Sequence, residues 1–249
     1  MKKILIKDSE FEIKERNVAC IGYFDSVHLG HQDLLNKAIS EAKRLGLKSA
    51  LICFSPDPAD IISGKRNRHI FSNKEKENIV RDFGIDMMII ISFDEKLMKL
   101  EAREFIERYL NRMNIEELVS GFDFSFGYMG SGDNRLLKKY GNFKSIVIPE
   151  HTHYGKKVSS TRIKEELNKG NLKLVDKLLG YPYYRNLKVI NVSQNGSKWL
   201  IEAIQKEKDI IEIKDGKYEG FTLENGIYRF ESDVPYRKNE SIKFYVNKQ

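Results

Sequence analysis

Two histidines on either side of Gly30 are the residues whose types and spacing most clearly indicate chemistry. His28 and His31 lie in the stretch CIGYFDSVHLGHQDLL, residues 20–35, of a chain that has only five histidines. Imidazoles at this spacing could ligate a metal, donate hydrogen bonds to phosphate oxygens, or pack as ordinary side chains. A zinc site needs three or four ligands, and neither a cysteine nor a carboxylate stands at ligand spacing from them. Phosphate binding is the favoured interpretation, with a metal site and packing as alternatives.

A buried strand followed by a helix is predicted to position these histidines. Residues 17–24, NVACIGYF, are mostly apolar, and after Gly30 apolar residues recur at intervals of three and four up to Leu45. Gly46 follows where helices commonly end in a glycine. The first N–H groups of a helix are unpaired and carry partial positive charge, and a glycine lets the backbone approach a ligand closely. The sequence therefore predicts a phosphate site at the start of this helix.

A second segment, SSTRIKEEL at residues 159–167, has residue types that also suit phosphate. Ser159, Ser160 and Thr161 are all good N-cap residues, and Arg162 carries a forked cation. If Ser160 or Thr161 caps a helix here, its hydroxyl, the first N–H groups and the guanidinium face one cavity. Taken alone, the segment fits an ordinary capped surface helix equally well. The histidine pair upstream makes phosphate binding the preferred interpretation.

Strand and helix patterns alternate along the first part of the chain. Strands are predicted at 48–54, 85–93, IEELVSGF and FKSIVIPE, and helices at 72–82, about 101–112, 133–140, 159–170 and 171–180. This alternation is typical of βαβ units with a parallel sheet. Past Tyr184 the chain changes to short strand-like runs separated by Asn-Gly and Asp-Gly turns. We therefore predict an α/β domain over residues 1–184 and a small all-β domain over 185–249.

Composition excludes several classes of protein. The formal charge of +7 comes from 43 basic and 36 acidic residues. Lysines are spread along the chain without interleaved arginines and aromatics, so a solvated surface is favoured over a nucleic-acid partner. There is no apolar run of about 18 residues and no signal-peptide core, so we expect a cytoplasmic protein without a membrane span. Cys20 and Cys53 lie in apolar runs and are predicted to be small core residues rather than a disulfide or metal ligands.

Several motifs in one order resemble a known family. They are G-x-F-D-x-x-H-x-G-H (22–31), FSPDP (54–58), GFDFSFGYMGSGD (121–133), SSTRI (159–163) and LLGYPY (178–183). The series is similar to the adenylyltransferase half of prokaryotic FAD synthetases, the bifunctional riboflavin kinase/FMN adenylyltransferases of the HxGH nucleotidyltransferase superfamily. The resemblance covers about residues 15–184. It implies a Rossmann-like nucleotidyltransferase domain that makes FAD and pyrophosphate from the small-molecule substrates FMN and ATP, with Mg²⁺ accompanying ATP.

The resemblance also implies roles for individual residues. His28 and His31 would contact the ATP phosphates, and Arg162 would hold the leaving pyrophosphate. The residues implied to bind nucleotide or flavin are Gly22, Phe24, Asp25 and Gly30 at the strand exit, Ser159, Ser160 and Thr161 in the second phosphate motif, and Asp57, Asp123, Phe124 and Phe126 on the flavin side. For two of the flavin-side residues, Phe124 and Phe126, a place in the core is an equal alternative. Asp57 could simply cap a turn.

The chain departs from the family pattern at three places. Ser26 stands where the family usually has glycine, and Ser125, Tyr128 and Met129 stand where members often have basic residues. After Pro182 the G-F-P-T-A-N signature of the kinase half is absent, so we expect no riboflavin kinase activity. Two alternatives remain open at this point: an HxGH transferase with another acceptor, and a flavin- or nucleotide-binding regulator with weak or no catalysis. The oligomeric state is not predicted.

Overall fold

The computed structural model describes residues 1–64, 67–206 and 210–247. They form two compact units. The first comprises Met1–Asn67 and Asn73–Lys157, and the second comprises Arg68–Ser72 and Val158–Gln249.

A six-stranded parallel sheet organises the first unit. Its strands are β1 (Lys2–Ile6), β2 (Asn17–Ile21), β3 (Lys48–Ser55), β4 (Met87–Ser92), β5 (Ile115–Gly121) and β6 (Lys144–Ile148), in the spatial order β1-β4-β3-β2-β5-β6. All five neighbouring pairs are parallel. The helices are α1 (Leu29–Leu45), α2 (Pro58–Ser63), α3 (Asn73–Asp82), α4 (Glu95–Met98), α5 (Ala102–Arg108) and α6 (Asn134–Tyr140). A short hairpin of β7 (Thr152–His153) and β8 (Lys156–Lys157) follows.

The two faces of this sheet carry separate apolar clusters, because successive side chains of a strand point to opposite sides. On β2, Val18 and Cys20 pack in the cluster that includes α1, while Ala19 and Ile21 pack in the cluster that includes α5. Burial on both faces explains why Val18–Ile21 of β2 form a continuous apolar run rather than an alternating one. Cys20 and Cys53 are free and buried in the core, as predicted.

The second unit contains two helices and an antiparallel sheet. The elements are α7 (Ser160–Lys169), α8 (Leu172–Leu179), β9 (Tyr184–Asn195), β10 (Lys198–Gln205), β11 (Gly216–Tyr218), β12 (Phe221–Glu224), β13 (Ile227–Ser232) and β14 (Ser241–Tyr245). The sheet order is β11-β12-β13-β10-β9-β14. The rings of Phe221 on β12 and Phe244 on β14 lie 5.2 Å apart, although four strand spacings in a flat sheet would separate them by about 19 Å. The sheet therefore curls around its aromatic side chains.

A short excursion of the chain completes the second unit. Between α2 and α3, residues Arg68–Ser72 leave the first unit and pack with the second. Within this segment Ile70 and Phe71 are fully buried. The ring of Phe71 lies 5.5 Å from that of Tyr183, and the backbone N–H of Ile211 donates to the carbonyl of His69 at 2.7 Å. Nothing in the local sequence pattern predicted this excursion.

The predicted fold class, an α/β part with a parallel sheet followed by antiparallel β structure, is confirmed. The six-stranded antiparallel sheet begins at Tyr184, whereas the second compact unit continues from Val158 and includes α7 and α8. As a division into domains, 1–184 and 185–249 stays a prediction. Strand β1 and helices α2 and α4 were not predicted. Among the described residues, no helix combines the length and the apolar character needed to cross a membrane.

A substitution at Gly127 tests how closely the segment after β5 packs against Ala102. Its φ is +74°, and an added Cβ would lie 2.6 Å from the Cα of Ala102; Gly84 has a φ of +90° but open space around it. We expect Gly127→Ala to lower the free energy of unfolding by about 2–4 kcal/mol, because backbone strain and overpacking add. Gly84→Ala, the matched control, should cost about 1–2 kcal/mol from strain alone. Urea denaturation measures both, and equal losses would show that Ala102 does not constrain Gly127.

Candidate active site

The order of the strands places a crevice at one edge of the parallel sheet. From β2 the chain passes through α1 to β3 on one side, while β5 lies against the other side of β2. Strand order therefore reverses at β2, and in open parallel sheets ligands bind outside the carboxyl ends of the strands at such a point. The loop 22–28 leaves β2 at this position and leads into α1. The predicted strand over 17–24 ends earlier, at Ile21, which frees these residues to form the loop.

His28 caps the helix that follows. It has extended backbone angles, and its Nδ1 accepts a hydrogen bond from the backbone N–H of His31 at 3.3 Å. The rings of His28 and His31 stack with centroids 3.8 Å apart, and the ring of Phe24 lies 4.5 Å from that of His31. Three rings thus form a row at the start of α1.

The loop before His28 is buried and held in an uncommon conformation. Asp25 and Ser26 are 1% and 0% exposed, and Val27 has a φ of +48°. A β-branched residue with positive φ is strained, and such strain persists only where the surroundings enforce it. The side chain of Gln32 supplies one restraint, because its Nε2 donates to the carbonyl of Val27 at 2.9 Å.

The glycines of this region make room for rings. A Cβ on Gly22 would lie 3.2 Å from the ring of Phe24. A Cβ on Gly30 would lie 3.3 Å from Cε1 of His28 and 3.5 Å from Cβ of His151. The absence of a side chain at Gly30 leaves room for the ring of His28 and the Cβ of His151, while the approach of a ligand to its backbone stays a prediction.

The electrostatic environment keeps both motif histidines neutral at pH 7. Burial lowers the pKa of His28 to about 4, helped by His151 and Lys157 and opposed by Asp25. Burial, followed by the charge of His28, lowers the pKa of His31 well below its usual range. Because Nδ1 of His28 accepts the cap hydrogen bond, the single proton of its neutral ring lies on Nε2, which is a donor. Nδ1 of His31 is buried and has no hydrogen-bond partner among the described residues.

His151 and Asp33 are neighbours of this site that the sequence motifs did not include. Nδ1 of His151 lies 2.6 Å from Oδ2 of Asp33, which belongs to α1. His151 follows β6, whose carboxyl end lies at the same edge of the sheet as that of β2. That placement is the signal that could have found it, once β6 had been assigned to the parallel sheet.

The predicted flavin-side residue Asp57 has a structural role. Its carboxylate caps α2 by accepting from the backbone N–H of Ala59 at 2.8 Å, so the alternative of a capped turn is observed. The same carboxylate is hydrogen-bonded to the hydroxyl of Tyr23, whose pKa is raised by burial and then by this bond. A contact of Asp57 with flavin stays a prediction.

The segment after β5 combines a core residue with more exposed ones. Phe126 is buried, with its ring 5.7 Å from that of Phe105 and 5.5 Å from that of Phe124. Phe126 therefore occupies the core, as its alternative interpretation described, while Phe124 is only partly buried. Asp123 forms an ion pair with Lys157. Flavin binding by this segment stays a prediction.

The serine-rich motif lies in the second unit, at the start of α7. Oγ of Ser159 accepts from the backbone N–H of Arg162 at 3.3 Å, so the cap is Ser159 rather than Ser160 or Thr161. The reason is the backbone, because Ser159 has the extended angles of a cap residue (φ −150°, ψ 157°), whereas Ser160 is already the first residue of the helix. Ser160 and Thr161 occupy the first turn, and Arg162 is partly buried. The convergence of this motif with His28 and His31 on one ligand stays a prediction.

Comparison with known proteins bears out the resemblance. The sequence profile of the FAD synthetase family matches residues 10–162. The bifunctional riboflavin kinase/FMN adenylyltransferase of Listeria monocytogenes is 33% identical over 183 residues, which cover 72% of this chain and 58% of that protein. For the enzyme of the same name from Bacillus subtilis the identity is 31% over 203 residues, 79% of this chain and 64% of the relative. The Escherichia coli K12 enzyme is 30% identical over 188 residues, 74% and 60% respectively. The chain thus spans about three fifths of the length of these relatives.

The fold also has a counterpart among solved structures. The crystal structure of a macrolide-efflux protein from Streptococcus pneumoniae has a TM-score of 0.84 to this chain, at 24% identity, and covers 98% of this chain and 89% of its own. At that identity the likeness concerns the fold alone. The profile match is of a different kind, because it extends over more than half of the sequence and includes the stacked histidines. On that ground the chain belongs to the FAD synthetase family.

Proposed function

We propose that this chain transfers the AMP moiety of ATP to FMN, giving FAD and pyrophosphate. The observation that carries the proposal is the pair of stacked imidazoles at the start of α1, within the stretch that matches the family. Relatives that bear the name FMN adenylyltransferase support the same reaction for this chain. We further propose that the reaction takes place in the cytoplasm and involves no nucleic acid.

The chemistry asks for position and charge stabilisation rather than a covalent intermediate. An oxygen of the FMN phosphate attacks the α-phosphorus of ATP, the bond from that phosphorus to the bridging oxygen breaks, and pyrophosphate leaves with the electron pair. Reactions of this type depend on aligned reactants and on donors aimed at the developing charge. Nε2 of His28 is such a donor in the neutral ring, and the first N–H groups of α1 supply others. A phosphate near His31 would also meet its buried, unsatisfied ring nitrogen.

The serine-rich motif supplies the remaining groups in this proposal. Arg162, with the hydroxyls of Ser160 and Thr161, would hold the β- and γ-phosphates that leave as pyrophosphate. A guanidinium binds phosphate through two parallel hydrogen bonds and keeps its charge at every physiological pH. Arg162 would therefore supply fixed positive charge, whereas the histidines would supply neutral donors.

Mg²⁺ fits the donors that are present. The ion takes oxygen ligands and keeps several waters, so phosphate oxygens and water would provide most of its shell. Asp25 is the carboxylate near His28 and His31, and its charge acts on the pKa of both rings. It offers the type of oxygen that Mg²⁺ accepts. The bound ion would neutralise part of the charge of the triphosphate.

Loss of one phosphate donor should show directly in the rate. We expect His31→Ala and Arg162→Ala each to lower FAD formation by about 10²–10³-fold, because donors to developing charge commonly contribute that much. Arg103→Ala is the control, since Arg103 forms an exposed pair with Glu107 and belongs to no proposed contact. FAD and pyrophosphate are quantified by chromatography with FMN, ATP and Mg²⁺. Near-normal turnover of both variants would contradict the assignment.

Riboflavin should not be a substrate of this chain. The sequence after Pro182 lacks the G-F-P-T-A-N signature, and we propose that ATP-dependent phosphorylation of riboflavin is absent. The protein incubated with riboflavin, ATP and Mg²⁺ should yield no FMN, while FMN and ATP should yield FAD. Formation of FMN would refute the first expectation. Binding of FMN and ATP without release of pyrophosphate would instead favour the alternative of a flavin- or nucleotide-binding regulator with weak or no catalysis.

The protonation of His28 has a consequence for pH dependence. Its pKa is about 4 in the folded chain against an ordinary value of 6.5. Between these values the unfolded chain binds more protons, so the free energy of unfolding falls as the pH is lowered through this range. His28→Asn, which keeps a capping side chain, should weaken that dependence. Urea denaturation at several pH values measures it, and an unchanged slope in His28→Asn would exclude a neutral, buried His28.

A further inference from the structure

His151 is an imidazole that the proposed reaction has not yet used. It follows β6, and its Nδ1 lies 2.6 Å from Oδ2 of Asp33, on α1. The side chain of His151 is 30% exposed and that of Asp33 42% exposed, so solvent and solutes reach the pair. Neither residue belongs to the motifs that carry the family resemblance.

The position of His151 relative to the motif histidines follows from Gly30. A Cβ placed on Gly30 would be 3.5 Å from Cβ of His151 and 3.3 Å from Cε1 of His28. Both side chains therefore border the same glycine, in the first turn of α1. His151 is also near enough to His28 for its charge to lower the pKa of that ring. Since His28 and His31 stack on each other, three imidazoles are gathered at the start of one helix.

The bond to Asp33 determines what His151 can do. A carboxylate that holds Nδ1 fixes the orientation of the ring, as it does for histidines in many catalytic and metal sites. Nε2 lies on the opposite side of the ring, away from Asp33. A hydrogen bond from Nε2 to phosphate would have an anion as its acceptor. Hydrogen bonds of this charge-assisted kind are the strong ones.

We propose that His151, oriented by Asp33, is a third imidazole that binds the triphosphate of ATP at the start of α1. This rests on the proposed function in so far as ATP is the ligand. His151 acts on the phosphates and Asp33 is a positioning residue that acts through it. The rival explanation is a surface ion pair that only ties α1 to the loop after β6, and such a pair contributes little to binding or stability.

The experiment measures ATP binding separately from turnover. The dissociation constants of ATP with Mg²⁺ and of adenosine are determined by calorimetry for the full chain, together with KM for ATP and for FMN. His151→Ala should weaken ATP binding by about 10-fold or more, as expected for a hydrogen bond to a charged group. Adenosine binding and KM for FMN should not change, because neither involves the triphosphate. His153→Ala, two positions along the chain, is the matched control.

Two further variants separate position from structure. Asp33→Asn should weaken ATP binding less than His151→Ala does, and should have no further effect when His151 is already alanine. His151→Gln should recover part of the ATP affinity, since its amide N–H can replace Nε2 as a donor. Thermal unfolding of each variant checks that it is folded.

The outcomes are distinct. ATP binding by His151→Ala equal to that of the parent chain and of His153→Ala overturns the proposal. An equal effect of Asp33→Asn in both backgrounds overturns the positioning role of Asp33. A parent chain that binds ATP yet makes no FAD would refute the proposed adenylyl transfer, while a loss of affinity in His151→Ala would still support the phosphate contact.

Discussion

The parallel pairing of β2 with β3 on one side and β5 on the other is the constraint on which the candidate site depends. It aligns the carboxyl ends of these strands, so the loops that leave them open at one edge of the sheet. Helix α1 begins at that edge because His28 caps it. The same side chain that ends the loop thereby becomes part of the row of rings, and its cap hydrogen bond decides which ring nitrogen can donate. The ring of His28 therefore both caps α1 and supplies a donor in the proposed reaction.

Features with a local cause could be predicted from the sequence. The apolar spacing of α1, its terminal glycine in the left-handed region and the apolar run of β2 each follow from a few neighbouring residues. Strand β1 was missed because it lies at the edge of the sheet, where Leu5 is 56% exposed and little of the strand is buried. The cap of α7 was misplaced among three adjacent residues with capping hydroxyls, of which backbone geometry selects Ser159.

The candidate site was predictable only in part, because some of its features have a local cause in the sequence and others depend on the fold. The spacing of His28 and His31 indicates phosphate chemistry by itself, since both side chains belong to one strand exit. The pairing of Asp33 with His151 joins positions 118 residues apart, and only the order of the strands brings them together. The burial that lowers the pKa of both motif histidines is likewise a property of the packed loop and not of its residue types. The role of Phe126 could not be assigned from the sequence, because a phenylalanine suits a place in the core and a contact with flavin equally well.

The excursion of Arg68–Ser72 has a consequence for how the chain matures on the ribosome. Phe71 is translated long before its ring partner Tyr183, and at about 5–20 residues per second several seconds separate the two. During that interval a nascent chain carries Ile70 and Phe71 without the surface that later covers them, which is the kind of segment chaperones recognise. A gene rearrangement that moved the last part of the coding sequence to another protein would leave these five codons behind. Both segments of the second unit, Arg68–Ser72 and Val158–Gln249, would have to be transferred for that unit to form elsewhere.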